Sequence, residues 1–102
     1  MTEDQIDALL PIVKKRLRIT FTQVDDDIKD FIEEGGAFLR EKAGEIDFSK
    51  DSHTLSSIKA RSLLKEYCQY AWNGTTAFFG TDYQSEIIAL QILVAQEAFS
   101  NG

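Results

Sequence analysis

The last helix-like segment of the chain, which begins near Tyr83, carries apolar residues on two of its faces. One stripe has three- and four-residue spacing and consists of Tyr83, Ile87, Leu90, Val94 and Ala98. A second stripe, turned by about 100° from the first at 3.6 residues per turn, consists of Ile88, Ile92, Ala95 and Phe99. A small domain needs one such stripe to close its own core. The second stripe therefore predicts a surface for a partner.

Three earlier segments also have the apolar periodicity of helices. The first begins at a capping box from Thr2 to Gln5 and is interrupted near Pro11, where the helix either kinks or starts afresh. The second is capped at Thr22 or Asp25, has the acidic run 25–27 at its start and ends at Gly44. The third follows Ser52 or Thr54 and ends near Asn73. We therefore expect an all-α, bundle-like single domain of about four helices spanning residues 1–102. Its predicted core contains Leu9, Leu10, Val13, Leu17, Ile28, Phe31, Ile32, Phe38, Leu63, Leu64, Tyr67, Ile87, Leu90 and Val94.

The segment 75–81 between the third and fourth helices reads as a loop with two adjacent phenylalanines, Phe78 and Phe79, close to a glycine. Two such rings are costly to leave in water. They either fold back as a lid on the core or belong to a partner surface. With the second stripe they define the candidate protein–protein interface: Phe78, Phe79, Ile88, Ile92 and Phe99.

The charge is uneven along the chain. The 102 residues carry a formal net charge of −6, and no lysine or arginine follows Lys65. This balance lacks the basic footprint of a general nucleic-acid-binding protein. One basic cluster, 14–18, closes the first helix, where cations complement the helix dipole. It could alternatively contact an anion such as an acidic partner surface or a DNA backbone.

The side chains that usually carry catalysis are sparse. Cys68 is the single cysteine and lies in an apolar helical run, so we expect it to be buried. His53 is the single histidine and lies in a polar connection without a neighbouring nucleophile motif. No phosphate-binding loop or metal-ligand spacing occurs. We therefore expect no enzyme activity, no cofactor and no metal. Without a signal peptide or a run of 18 apolar residues, we expect a cytoplasmic protein that does not enter a membrane.

Two stretches of the chain together form a recognisable sequence pattern. The run Val13–Ile19 (VKKRLRI) leads through a short threonine-containing segment into Asp25–Ile28 (DDDI), and small residues follow at 35–37. Over roughly residues 6–95 the chain resembles the small head–tail connector, or adaptor, proteins of long-tailed bacteriophages and prophages. The resemblance implies an all-α, non-enzymatic protein that assembles as a homo-oligomeric ring beneath the phage portal protein, at high concentration or on the portal as a template.

Such a ring would extend the DNA channel and dock the next head-completion or tail protein. Its location would be the cytoplasm of the bacterial host during assembly and then the head–tail junction of the virion. DNA would pass without specific binding, so an acidic lining would suit the channel. An alternative remains open, in which an acidic helical regulatory or inhibitor module uses the same acids to bind a basic partner protein. The candidate acidic face consists of Asp25, Asp26, Asp30, Glu33 and Glu34.

Overall fold

Five helices form the protein in a computed structural model that describes residues 1–101; Gly102, the last residue of the predicted domain, lies outside the described residues. A 3-10 turn, Thr76–Phe78, precedes the short fourth helix. All the regular structure in residues 1–101 is helical, which confirms the predicted fold class. The Cα positions extend over 44 × 29 × 18 Å. The helices are α1 (Glu3–Leu17), α2 (Asp25–Ala43), α3 (Leu55–Trp72), α4 (Phe79–Asp82) and α5 (Gln84–Asn101).

Helix α1 includes Pro11 within its span, so the alternative in which the helix starts afresh at Pro11 is wrong. The capping box forms as predicted between Thr2 and Gln5, and the helix then runs through Pro11 without a break. Proline removes a single backbone donor, while Leu9 and Val13 on either side of it are almost fully buried. Tertiary packing therefore holds the helix together across the missing hydrogen bond.

The first helix ends with an unusual backbone at Arg18. The Arg18 and Ile19 amides donate to the carbonyls of Lys15 and Lys14, at 3.2 and 2.9 Å. This is the Schellman arrangement, in which glycine usually supplies the left-handed residue. Here Arg18 has φ 61°, the only non-glycine residue with positive φ among residues 1–101. The sharp turn buries Ile19 and leads the chain into α2.

Helices α2 and α3 meet closely at Gly35. A Cβ atom on Gly35 would lie 2.7 Å from Cδ1 of Tyr67 and 2.8 Å from Cδ1 of Leu64. A methyl group at this position would overlap both side chains, so the bare backbone is what permits the approach. At neighbouring Gly36, a Cβ atom would meet only the terminal methyl of Met1 closely. Helix α2 is continuous through both glycines.

All the predicted core residues pack in or against one hydrophobic cluster. The connection between α2 and α3 adds Ile46 and Phe48, which are both buried, Phe48 fully. Two arginines hold this connection in place. Arg61 Nη1 donates to the carbonyls of Ser49 and Ser52 at 2.6 and 2.7 Å, and Arg40 lies over the Phe48 ring, 5.2 Å from its centroid.

Across residues 1–101, no helix combines the length and the apolar character that crossing a bilayer requires.

Candidate protein–protein interface

The second apolar stripe of α5 lies in solvent. Ile88, Ile92 and Phe99 are 47%, 52% and 89% exposed, and Ala95 between them is also exposed. On the inner side of the same helix, Ile87 and Leu90 are buried. We call Ile88, Ile92, Ala95 and Phe99 the α5 outer face. One helix thus supplies the core and presents a second, uncovered apolar stripe.

The charged residues of α5 point away from this outer face. Glu86 pairs with Lys59 of α3. Glu97 accepts hydrogen bonds from the backbone N and the Oγ of Ser56, at 2.9 and 2.7 Å, in the first turn of α3. These hydrogen bonds lower the pKa of Glu97, because they favour its charged form.

Both carboxylates therefore fix α5 against α3. The side chains that border the outer face are uncharged: Gln84, Ser85, Ala89, Gln91 and Gln96.

The two adjacent phenylalanines have opposite environments. Phe78 is 63% exposed, and Phe79 is fully buried. The expectation that Phe79 belongs to the interface is therefore wrong. Phe79 lies at the centre of an aromatic cluster, with its ring centroid 4.9–5.7 Å from the rings of four residues, Phe38, Tyr67, Tyr70 and Tyr83. The reason is local, because the predicted loop is a 3-10 turn followed by α4. Successive side chains of a helix point about 100° apart, so one ring enters the core while the other remains outside.

A groove of about 590 Å³ lies between α2 and α5, beside Ile88 of the α5 outer face. Ile88 forms one wall together with Ile87, and Phe38 and Lys42 of α2 form another. Gln91 closes one side by donating from Nε2 to the Lys42 carbonyl at 2.8 Å. Ile88 therefore belongs both to the stripe and to a groove with a mixed apolar and polar lining, a concave site in which a partner side chain can be anchored.

The candidate acidic face divides into two groups. Asp26, Asp30 and Glu33 are exposed at helical spacing, and we call them the acidic row. The other two carboxylates have partners within the fold. Asp25 pairs with Lys14 at 2.7 Å, and Glu34 accepts the Tyr67 hydroxyl at 2.6 Å.

The basic cluster of α1 is also partly committed to the fold. Lys14 pairs with Asp25, and Arg16 pairs with Glu66 of α3 at 2.5 Å. Within residues 1–101, Lys15 and Arg18 are exposed and make no ion pair. Two cations of the cluster therefore join α1 to α2 and α3. The other two, Lys15 and Arg18, are the ones that an outside anion can reach.

The two residues considered for catalysis, Cys68 and His53, have opposite environments. Cys68 is fully buried, as expected, and burial raises the pKa of its thiol to about 12, so the reactive thiolate is disfavoured. His53 is exposed in the connection before α3. In the part of the chain that the structure describes, no three His, Cys, Asp or Glu side chains are grouped as a metal site.

One exposed apolar surface was missed by the sequence analysis. On α3, Leu55 and Ile58 are 68% and 47% exposed, and Trp72 at the end of the helix is 40% exposed. The same helix carries the charged residues Lys59, Lys65 and Glu66, which are typical of a solvated face. The signal in the sequence is the three-residue spacing of the two apolar residues Leu55 and Ile58.

Comparison with known proteins identified no matching family model, no matching curated protein and no matching solved structure.

Proposed function

We propose that this protein is a structural assembly subunit, a head–tail connector of a long-tailed bacteriophage or prophage. It forms a ring under the portal protein and docks the next head-completion or tail protein. The resemblance in the stretches 13–19 and 25–28 suggests this class of protein. The observation that carries the proposal is the α5 outer face, an apolar and uncharged surface on a helix whose opposite side already closes the core.

The energetics of this face fit a subunit that is held in place by several weak contacts. Full burial of Ile88, Ile92 and Phe99 would contribute roughly 1.5–3 kcal/mol each. Their partial exposure lowers this figure, and association entropy offsets much of the remainder. A single contact of this kind is therefore weak. Repetition around a ring, or a portal template that holds the copies close together, makes assembly favourable.

The acidic row also supports the proposal, because an acidic surface suits the lining of a channel through which DNA passes. Asp26, Asp30 and Glu33 place three carboxylates on one exposed side of α2. A channel lining of this charge repels phosphate, so DNA can slide without adhering. The net charge of −6 acts in the same direction. We expect weak binding to free duplex DNA even at low salt.

The proposal is tested with the portal protein encoded in the same gene cluster as this chain. Wild-type protein and an Ile88→Glu/Ile92→Glu variant are each mixed with that portal protein and followed by size-exclusion chromatography with light scattering. We expect the wild type to join the portal and the variant to elute alone, because buried unpaired charges cost several kcal/mol. The control is Thr22→Glu/Gln23→Glu, which adds the same charge at exposed positions in the connection between α1 and α2.

The proposal fails if the wild type does not join the portal protein, or if the gene cluster encodes no portal, capsid or tail proteins. It also fails in its present form if the α5 variant folds and still joins the portal.

The acidic row also favours a second candidate function, a regulatory module that binds a basic protein. Three exposed carboxylates at helical spacing can imitate the charge of a DNA backbone. This function requires a one-to-one complex that weakens as salt is added and is lost on Asp30→Asn/Glu33→Gln substitution. The connector function requires an assembly that these two changes leave intact.

A further inference from the structure

The basic cluster of α1 ends in a backbone conformation that is unfavourable for the residue it contains. Arg18 has φ 61°, in the left-handed region that a side chain disfavours. Glycine adopts this conformation freely and is the usual residue at this position of a Schellman turn. The Arg18 side chain is exposed and makes no ion pair within residues 1–101, so no charge partner in the fold accounts for an arginine here. Strained residues of this kind concentrate at functional sites.

A groove of about 470 Å³ lies beside this turn. Its apolar walls come from Leu10 and Pro11 of α1 and from Ile19, the residue that follows Arg18. Thr20 continues the lining along the connection to α2. No residue of α5 lines this groove, so it is a surface separate from the α5 outer face.

The unpaired charge in the lining of this groove is that of Lys15. Lys14 and Asp25 also line it, but they pair with each other at 2.7 Å, and the acids at 26–27 do not line it. Lys15 is exposed and has no acidic partner in the part of the chain that the structure describes. Arg18 lies next to it along the turn, since the Arg18 amide donates to the Lys15 carbonyl at 3.2 Å. The groove therefore combines apolar walls with positive charge that the fold leaves uncompensated.

The same connection exposes an aromatic ring. Phe21 follows Thr20 and is 48% exposed. Arginine and aromatic side chains are enriched among the residues that anchor protein–protein contacts. A duplex DNA backbone would use only the two cations and leave the apolar walls and the ring without a counterpart. The net charge of −6 also opposes the approach of a long polyanion. The chemistry of the surface therefore suits a short protein segment better than DNA.

We propose that Lys15, Arg18, Phe21 and the adjoining groove form a docking site for an acidic segment of a partner protein. An apolar side chain of that segment occupies the groove, and a neighbouring carboxylate pairs with the two cations. Charge complementarity identifies this occupant, because a carboxylate is the planar partner that a guanidinium binds through two parallel hydrogen bonds. The site goes beyond the proposed function, since it is a second docking surface that shares no residue with the α5 outer face.

A peptide selection tests this site. Short random peptides displayed on yeast are selected for binding to the wild-type protein, and peptides that also bind a Lys15→Gln/Arg18→Gly variant are discarded. The surviving peptides are synthesised, and their Kd is measured by fluorescence anisotropy at low and at physiological salt. Arg18→Lys tests retention of the charge, and Lys50→Gln is the matched control, because it removes an exposed lysine in the connection before α3. Random-sequence duplex DNA is measured in the same assay.

We expect the surviving peptides to combine Asp or Glu with a large apolar residue, and their binding to weaken as salt is added. Lys15→Gln and Arg18→Gly should each weaken binding by about two- to fivefold, and the double variant by about tenfold. Arg18→Lys should retain most of the affinity, and Lys50→Gln and Ile88→Glu/Ile92→Glu should leave it unchanged. Arg18→Gly should raise the melting temperature while it weakens binding, which separates a binding role from a loss of folding.

The inference is overturned if no peptide survives the selection, if the survivors lack acidic residues, or if salt does not change their affinity. Duplex DNA that binds more tightly than the peptides would assign the two cations to phosphate instead. A lower melting temperature for Arg18→Gly would give the arginine a structural role and remove the argument from strain. None of these outcomes affects the portal contact of the α5 outer face, which is tested separately.

Discussion

The close approach of α2 to α3 at Gly35 gives a quantitative test of the packing. Gly35→Ala adds a methyl group 2.7 Å from Tyr67 and 2.8 Å from Leu64, both of which are buried. The Tyr67 ring has little freedom to move, because its hydroxyl is bound to Glu34 and the ring packs against Phe79. Overpacking of this kind costs about 1–3 kcal/mol. The better helix propensity of alanine returns about 1 kcal/mol.

The expected net effect of Gly35→Ala is a loss of about 1 kcal/mol, which lowers the melting temperature by about 4–8 °C in a domain of this size. Gly36→Ala is the matched control, one residue along the same helix. Its methyl group closely meets only the flexible end of Met1. It should therefore keep most of the propensity gain and raise the melting temperature by a few degrees. Thermal melts followed by circular dichroism measure both variants. Equal stabilisation by the two substitutions would refute the close contact between α2 and α3.

Three further predictions follow from single residues. Phe79→Ala should cost about 3–5 kcal/mol in urea denaturation by emptying the aromatic cluster, whereas Phe78→Ala should change stability by less than about 0.5 kcal/mol; similar losses would contradict the opposite environments of the two rings. Arg18→Gly should stabilise the fold by about 1 kcal/mol, since it relieves the left-handed backbone at φ 61°, and a loss of stability would show that the arginine side chain contributes more than its strain costs. The Tyr70 hydroxyl donates to Asp82, and this hydrogen bond raises the pKa of Tyr70 to about 12, whereas an unfolded tyrosine ionises near pH 10. Its contribution to stability is therefore present below about pH 10 and is lost as the pH rises through about 12, so urea denaturation between pH 9 and 12 should show a steeper fall for the wild type than for Tyr70→Phe.

The features that followed directly from the sequence are those governed by periodicity. Ile87 and Leu90 lie inside and Ile88 and Ile92 lie outside, because one helix in a domain of this size cannot bury both of its sides. Helix caps also depend on the neighbouring sequence, so they too are open to prediction. The Thr2 box forms as predicted, and of the two candidate caps of α3 it is Thr54 that forms. The side-chain cap predicted for α2 at Thr22 or Asp25 is wrong, because Val24 occupies the N-cap position.

The features that could not be predicted depend on contacts between distant segments. Pro11 looked like a break because the local cost is visible in the sequence, while the packing that offsets it is not. Whether Phe79 lies inside or outside depends on the rings of α2 and α3 that surround it. The exposure of Leu55 and Ile58 was not predicted either, because the packing of α3 against α2 and α5 decides which of its sides is covered.

The central claim is that the α5 outer face is where this protein assembles. Electron cryo-microscopy of the protein bound to the portal protein from its own gene cluster tests that claim most directly. We predict a ring in which Ile88, Ile92 and Phe99 are buried between neighbouring copies, while Asp26, Asp30 and Glu33 face the central channel. A ring in which the α5 outer face points into solvent, or a complex that contains a single copy of this chain on its partner, would contradict the account.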